Sequence, residues 1–201
     1  MNKSATFLQK FSLALIIMSH MKIAFVGKGG AGKTTTSTLF AQYYSLEHTN
    51  LAIDADINMH MAELLGAEHP DVDMLISEKT PSDTIRSYLR GTNHRIASND
   101  AFKKSTPPGR GSQLIDISDA DDWFVSRYSI RVSDTLRLVT VGSYSEGGLA
   151  SSCYHNNLAI LENVLSHTRD GGAVIVDMVA GTDAFASTLF AQFDALVFVV
   201  E

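Results

Sequence analysis

The chain has 201 residues, enough for one well-packed domain and too few for two ordinary ones. Hydrophobic residues at 45% and charged residues at 19% exclude a disordered chain. A net charge of −6 excludes a surface that binds nucleic acid all over, because phosphate needs a basic face, and leaves room only for a local basic patch.

Residues 1–20 stand apart. Lys3 and Lys10 precede the apolar run Phe11 to Met18, but Ser19-His20 is no small-residue cleavage site. The run is also well short of the ~20 residues a spanning helix needs. Met18 and Met21 both offer starts, and Met21 falls immediately before a strand. The segment reads as an upstream or misassigned start rather than a targeting signal, with the domain at 21–201.

Lys22 to Val26 is the first strand, and it runs into Gly27-Lys28-Gly29-Gly30-Ala31-Gly32-Lys33-Thr34-Thr35. This contains G-x-x-x-x-G-K-[ST], starting at Gly27, in the strand–loop–helix context the pattern requires. Glycines let backbone N–H groups turn inward around phosphate oxygens, and the following helix N-terminus adds a favourable dipole. Lys33 would place its charge on the β- and γ-phosphates and the Thr34 hydroxyl would coordinate Mg²⁺. Gly29, Gly30, Ala31, Gly32 and Thr35 complete the expected nucleotide cradle. The helix is expected from Lys33 to about Ser45, with Leu39, Phe40 and Tyr43 on one face.

Thr49-Asn50 breaks that helix, and Leu51 to Asp54 is the second strand, tipped by Asp54-Ala-Asp56-Ile-Asn58. Ligands in parallel sheets sit beyond the carboxyl ends of strands, so these carboxylates would face the phosphates. Asn58 is expected to cap a short helix, Met59 to Leu65, closed by Gly66.

Residues 68–133 are less regular. A helix is expected near Ser82–Leu89, then the turn-rich loop Thr106-Pro-Pro-Gly-Arg-Gly-Ser112, a short strand over Leu114–Ile117 and an acidic surface stretch, Asp119-Ala-Asp-Asp122. So long an irregular stretch usually carries function or meets a partner. Leu136 to Val141 is a strand ending at Gly142, and a helix from Asn157 to about Leu165 places Leu158, Leu161 and Leu165 on one face. Cys153 is the chain's single cysteine, which excludes an internal disulfide framework and fits a reducing cytoplasm. Ala173 to Asp177 is a buried strand tipped by a carboxylate, the arrangement of a Walker B aspartate near Mg²⁺. Met178 to Asp183 then reads as switch II, with Gly181 letting the backbone approach the γ-phosphate. Leu196 to Val200 reads as a buried parallel strand, and a chain that stops there reads as a fragment.

Alternating strands and helices give an α/β fold with a mostly parallel sheet and helices on both faces, and the motif at Gly27–Thr34 makes the expected fold class a P-loop NTPase. Lys28 narrows it. A lysine ahead of Gly-Gly-x-Gly-Lys-Thr marks the deviant Walker A class, and here the chain resembles the ParA/MinD/nitrogenase-iron-protein/ArsA group of ATPases. The resemblance implies that ATP is the nucleotide and that Lys28 reaches across a homodimer interface to the partner's phosphates. It also implies that the second aspartate, Asp56, orients or activates the attacking water. Asp54 would then help hold the Mg²⁺ shell, unless the two roles are swapped.

Within that group, Asp54-Ala-Asp56, the Thr106–Ser112 loop and Asp177-Met-x-Ala-Gly181 are similar to the CooC-type ATPases, which assist nickel insertion into carbon monoxide dehydrogenase. Two departures stand out. Ser152 and Tyr154 occupy the positions of that family's dimer-bridging Cys-x-Cys pair, and Ile57 replaces a proline that often follows the aspartates. Cys153 and His155 offer a Cys₂His₂ set across a two-fold axis, but one C-x-H is a weak metal pattern and an ordinary cysteine beside a loop histidine is the stronger reading.

The expected function is a cytoplasmic, slowly hydrolysing MgATPase that dimerises on ATP and drives maturation or regulation of a client protein. Neither nucleic acid nor membrane is an expected partner. The alternatives are a ParA/MinD-like positioning ATPase acting on DNA or membrane, and a nucleotide-sensing module with negligible turnover.

Overall fold

In a computed structural model of the chain, the described residues are 21–142, 157–169, 171–180 and 188–201. In chain order the elements are β1 (Lys22–Gly27), α1 (Lys33–Tyr44), β2 (Asn50–Ala55), α2 (Met61–Leu65), α3 (Lys79–Arg90) and α4 (Trp123–Tyr128). They continue with β3 (Ile130–Arg131), β4 (Leu136–Thr140), α5 (Asn157–His167), β5 (Ala173–Met178) and β6 (Ala195–Val199).

The strands form one six-stranded sheet in the order β3-β4-β2-β5-β1-β6, parallel throughout except for the short antiparallel pairing of β3 with β4. β2 and β5 are buried along their whole length, which explains their unbroken apolar runs. Successive residues point to opposite faces. Ile23, Phe25, Ala52 and Ile175 pack with Ala41 and Tyr44 of α1 and Met61 of α2. Ala24, Val26, Ile53 and Val176 pack on the other face with Ile85 of α3, Phe124 of α4 and Leu161 and Leu165 of α5. Each fully buried aliphatic side chain contributes about 1.5–3 kcal/mol, so helices on both faces are what make these strands stable.

Several local expectations are corrected. The inward face of α1 is Ser37, Thr38, Ala41 and Tyr44, while Leu39 and Tyr43 are 60% and 77% exposed. Small side chains let the helix lie close on the sheet, and Phe40 still reaches Phe25 at 5.5 Å between ring centroids. α2 starts at Met61 rather than Met59, with no side-chain cap from Asn58. Leu114–Ile117 is not a strand; only Ile115 bridges, to Thr168. The acidic stretch leads into α4, whose first turn is capped by Asp122 accepting from the N–H groups of Phe124 and Val125. β6 pairs in parallel with β1 as expected, but as an edge strand it is only partly buried, with Phe198 59% exposed.

Candidate functional site

The loop after β1 is shaped by what glycine alone permits. Gly27 has φ +155°, and a Cβ there would lie 2.3 Å from the Val199 carbonyl oxygen of β6. Gly30 and Gly32 take φ +84° and +87°, the left-handed conformation that turns backbone N–H groups inward. Gly32 is also the N-cap of α1, with no side-chain cap and no acid in the first turn. The N–H groups of residues 32–35 have no acceptor among the described residues; the first helical bond runs from Thr36 to Gly32. Four free donors and an uncompensated helix dipole make a site for anionic phosphate.

Lys33 is 4% exposed, and its Nζ donates to the Lys28 carbonyl at 3.2 Å, which holds the ammonium across the loop. The Lys28 side chain is exposed and has no partner among the described residues.

Strand register brings the carboxylates together. β5 lies between β1 and β2, so Asp177 is in register with Phe25 on one side and with Asp54 on the other. Asp177 is fully buried, and neither of its oxygens has a hydrogen-bond partner among the described residues. Burial pushes its carboxyl up to about 7, with the charges of Asp54 and Asp56 adding to the rise. Thr34 and Lys33 pull it back, Thr34 without a hydrogen bond of ordinary geometry.

Asp54 is equally buried, and burial raises it to about 6. Both its oxygens are engaged, however. Oδ1 accepts the Asp56 N–H at 3.1 Å and Oδ2 accepts the Met61 N–H at 2.9 Å, so Asp54 supplies the cap expected of Asn58. Asn58 turns back on Asp56, whose Oδ1 accepts both its backbone N–H (2.9 Å) and its Nδ2 (2.8 Å). Asp56 Oδ2 has no partner among the described residues. Met59, at φ +52°, tightens the turn that carries the chain from Asp56 into α2.

The P-loop and the turn after β2 line one groove of about 280 Å³, formed by Gly29, Gly30, Gly32, Lys33, Thr34, Thr35, Asp56, Asn58, His60 and Ala180; Lys28, Ala31, Asp54 and Asp177 are not among its lining residues. Asn58 was legible only as a helix cap, although its place two residues after Asp56 is also the spacing of a local Asx hydrogen bond. His60 and Ala180 carry no sequence signal that marks them. Gly181, Cys153 and His155 lie outside the described residues.

The CobQ/CobB/MinD/ParA nucleotide binding domain family matches residues 23–192. Two uncharacterized ATP-binding proteins of Methanocaldococcus jannaschii are 26% and 25% identical over 185 and 189 residues, covering 90% of this chain and 67% and 63% of their own length. The carbon monoxide dehydrogenase accessory protein CooC of Rhodospirillum rubrum is 28% identical over 186 residues, covering 90% of this chain and 63% of that protein. The chain thus spans 63–67% of the length of these curated relatives. A crystal structure of a ParA family ATPase from Chlorobium tepidum TLS is similar at 17% identity and a TM-score of 0.43, covering 90% of this chain and 60% of that one. No helix among the described residues is long and apolar enough to cross a membrane. With the P-loop groove formed by β1, β2 and β5, the chain belongs to the CobQ/CobB/MinD/ParA nucleotide-binding domain family and is a P-loop ATPase domain.

Proposed function

We propose that the chain binds MgATP in this groove, hydrolyses it slowly, and uses the bound triphosphate to close onto a second copy of itself as a switch for a client protein. The observation that carries this reading is Lys28, exposed and without a partner among the described residues, next to Gly29 in the loop that walls the groove, where Lys33 and Asp56 are buried and hydrogen-bonded. A cation that its own subunit leaves free is suited to a phosphate presented from a facing subunit.

The residues fit a magnesium nucleotide. Asp177 is a buried carboxylate with both oxygens unpartnered among the described residues, beside the Thr34 hydroxyl. Among the described residues no group of three or more His, Cys, Asp or Glu gathers into a cage. That suits Mg²⁺, which is commonly held by one or two carboxylates plus phosphates and water. Thr34 and Asp177 would hold the ion, and the ion would neutralise charge on the β- and γ-phosphates. Asp54, with both oxygens engaged, sets the backbone of the turn. Asp56, with Oδ1 fixed by Asn58 and Oδ2 without a partner among the described residues, would orient a water. Lys33 and the free N–H groups of the loop hold phosphate charge.

Similarity to CooC supports a client whose maturation the switch drives, and that finer role rests on 28% identity. Phosphate release by the purified chain, measured across a range of protein concentrations, is the test. Turnover per subunit that rises with concentration is expected. Tight ATP binding without release would instead leave a nucleotide-sensing module, and turnover independent of concentration would remove the dimer from the mechanism.

A further inference from the structure

The chain's charge is strongly segregated. Residues 86–112 hold six lysines and arginines against one acid, Asp100, a local +5 inside a chain of −6, which leaves −11 for the rest. The groove in this basic segment shares no lining residue with the P-loop groove. Ile76 and Ser77 bond to Thr140 and Val141 at the carboxyl end of β4, and α3 then runs back along the sheet. The Leu89 carbonyl accepts from Gln113, and Ile115 pairs with His167 and Thr168 just before β5 begins. The crossing of residues 91–95 with 109–113 therefore sits toward the amino ends of the strands, away from the nucleotide groove, while Asn99, Lys103 and Lys104 fold back along α3 and α5.

Two loops cross there and are locked. Thr92 N–H donates to the Gly111 carbonyl at 2.8 Å. Asn93, 6% exposed, donates from Nδ2 to Ser112 Oγ at 3.0 Å and accepts the Arg95 N–H at 3.1 Å. Gly111 has φ +93°, and a Cβ there would lie 2.8 Å from Thr92. The crossing walls a groove of about 730 Å³ lined by Thr92, Asn93, His94, Arg95, Arg110 and Gly111. The ion pairs among the described residues are Arg86–Asp83, Arg131–Asp134 and Arg169–Asp116, so Arg95 and Arg110 present free guanidinium groups to it.

We propose that this groove is a docking site for an acidic segment of a protein partner, with Arg95 and Arg110 receiving its carboxylates. Guanidinium forks match carboxylate geometry in pairs. The lining offers no aromatic ring larger than the His94 imidazole, so nothing broad enough to stack a nucleobase is presented. A duplex polyanion would extend past the patch, and the rest of the chain sums to −11, whereas a short acidic segment ends where the positive charge ends. The site is independent of the switch reading, because no nucleotide enters it.

The test is fluorescence anisotropy of a labelled short peptide of alternating Asp and Glu, titrated with the full chain at low salt. The matching Asn/Gln peptide and a short DNA duplex serve as comparisons. Arg95→Glu/Arg110→Glu is expected to weaken acidic-peptide binding at least about tenfold, while Lys79→Glu/Arg131→Glu, the same charge change elsewhere, leaves it within about twofold. Circular dichroism and thermal melting check the fold. If the charge reversals do not fold, Arg95→Gln/Arg110→Gln is read the same way. Undetectable binding by the wild type overturns the proposal, as do equal losses in the two reversals and equal affinity for the neutral peptide. Tighter binding of DNA that is lost in the groove variant overturns it in favour of a nucleic-acid surface.

Discussion

Asp54 and Asp177 stand in register at the carboxyl ends of adjacent strands, both buried, yet one has each oxygen occupied by a backbone N–H and the other has neither oxygen partnered among the described residues. The difference comes from the path the chain takes out of each strand. After β2 the chain turns back over Asp54 and delivers the N–H groups of Asp56 and Met61. Asp177 instead faces the Thr34–Lys33 end of the P-loop. One carboxylate builds the turn, and the other keeps both oxygens open, as the proposed Mg²⁺ site requires.

This asymmetry sets a pH dependence. The Asp177 carboxyl is raised to about 7, so between about pH 4 and pH 7 the folded protein keeps a proton that the unfolded chain releases. Stability without nucleotide therefore falls as pH rises through that window, and Asp54, raised to about 6, acts with the same sign. The buried His167 imidazole acts oppositely: its pKa is lowered by burial, so its contribution is lost as pH falls below the ordinary histidine value. Asp177→Asn isolates the first effect. Urea unfolding above neutral pH should show the variant more stable by about 1–3 kcal/mol, with a smaller loss of stability between about pH 4 and 7 than wild type. Identical profiles would mean that Asp177 does not ionise at the cost its burial implies.

Lys33→Ala should lower MgATP affinity at least about a hundredfold in calorimetry, because the lost ammonium is buried and held across the loop by the Lys28 carbonyl. Wild-type affinity in this variant would remove the groove from nucleotide binding.

Asp56→Ala should keep MgATP binding within a few-fold and reduce phosphate release about a hundredfold or more, as expected for a group that positions water. Asn58→Ala, which frees Asp56 Oδ1 of its bond to the Asn58 side chain and leaves the backbone bond, should give a smaller loss of the same kind. Wild-type turnover in Asp56→Ala would transfer the role elsewhere.

Lys28→Ala should bind nucleotide as the wild type does, since the side chain makes no hydrogen bond or ion pair among the described residues. Sedimentation with a non-hydrolysable ATP analogue should show wild type as a dimer and the variant as a monomer, with most turnover lost because charge developing in transfer is no longer neutralised. Equal dimerisation of the two proteins would refute the trans role of Lys28.

The P-loop was legible in sequence because its function is local. Gly27 to Thr35 carries its own backbone conformations and joins a strand to a helix, and Gly29, Gly30, Gly32, Lys33, Thr34 and Thr35 line the groove. The strands β1, β2 and β5 were equally legible, since apolar runs are what a doubly covered parallel sheet requires, and β4 was legible although Arg137 interrupts its run. α4 and β3 were not, because six and two residues are too short for a period to show. The outward turn of Leu39 and Tyr43 went against their hydropathy, because close packing of α1 on the sheet selected its small side chains instead.

Only the tertiary structure decided the chemistry of the aspartates. From sequence, Asp54 and Asp56 were interchangeable candidates and Asn58 was a cap. The order β2-β5-β1 placed Asp177 between the P-loop strand and Asp54, and the turn after β2 determined which oxygens accept backbone N–H groups and which stay free. Such contacts depend on strand register and on segments distant in sequence meeting at one end of a sheet, which a local pattern of residue types does not encode.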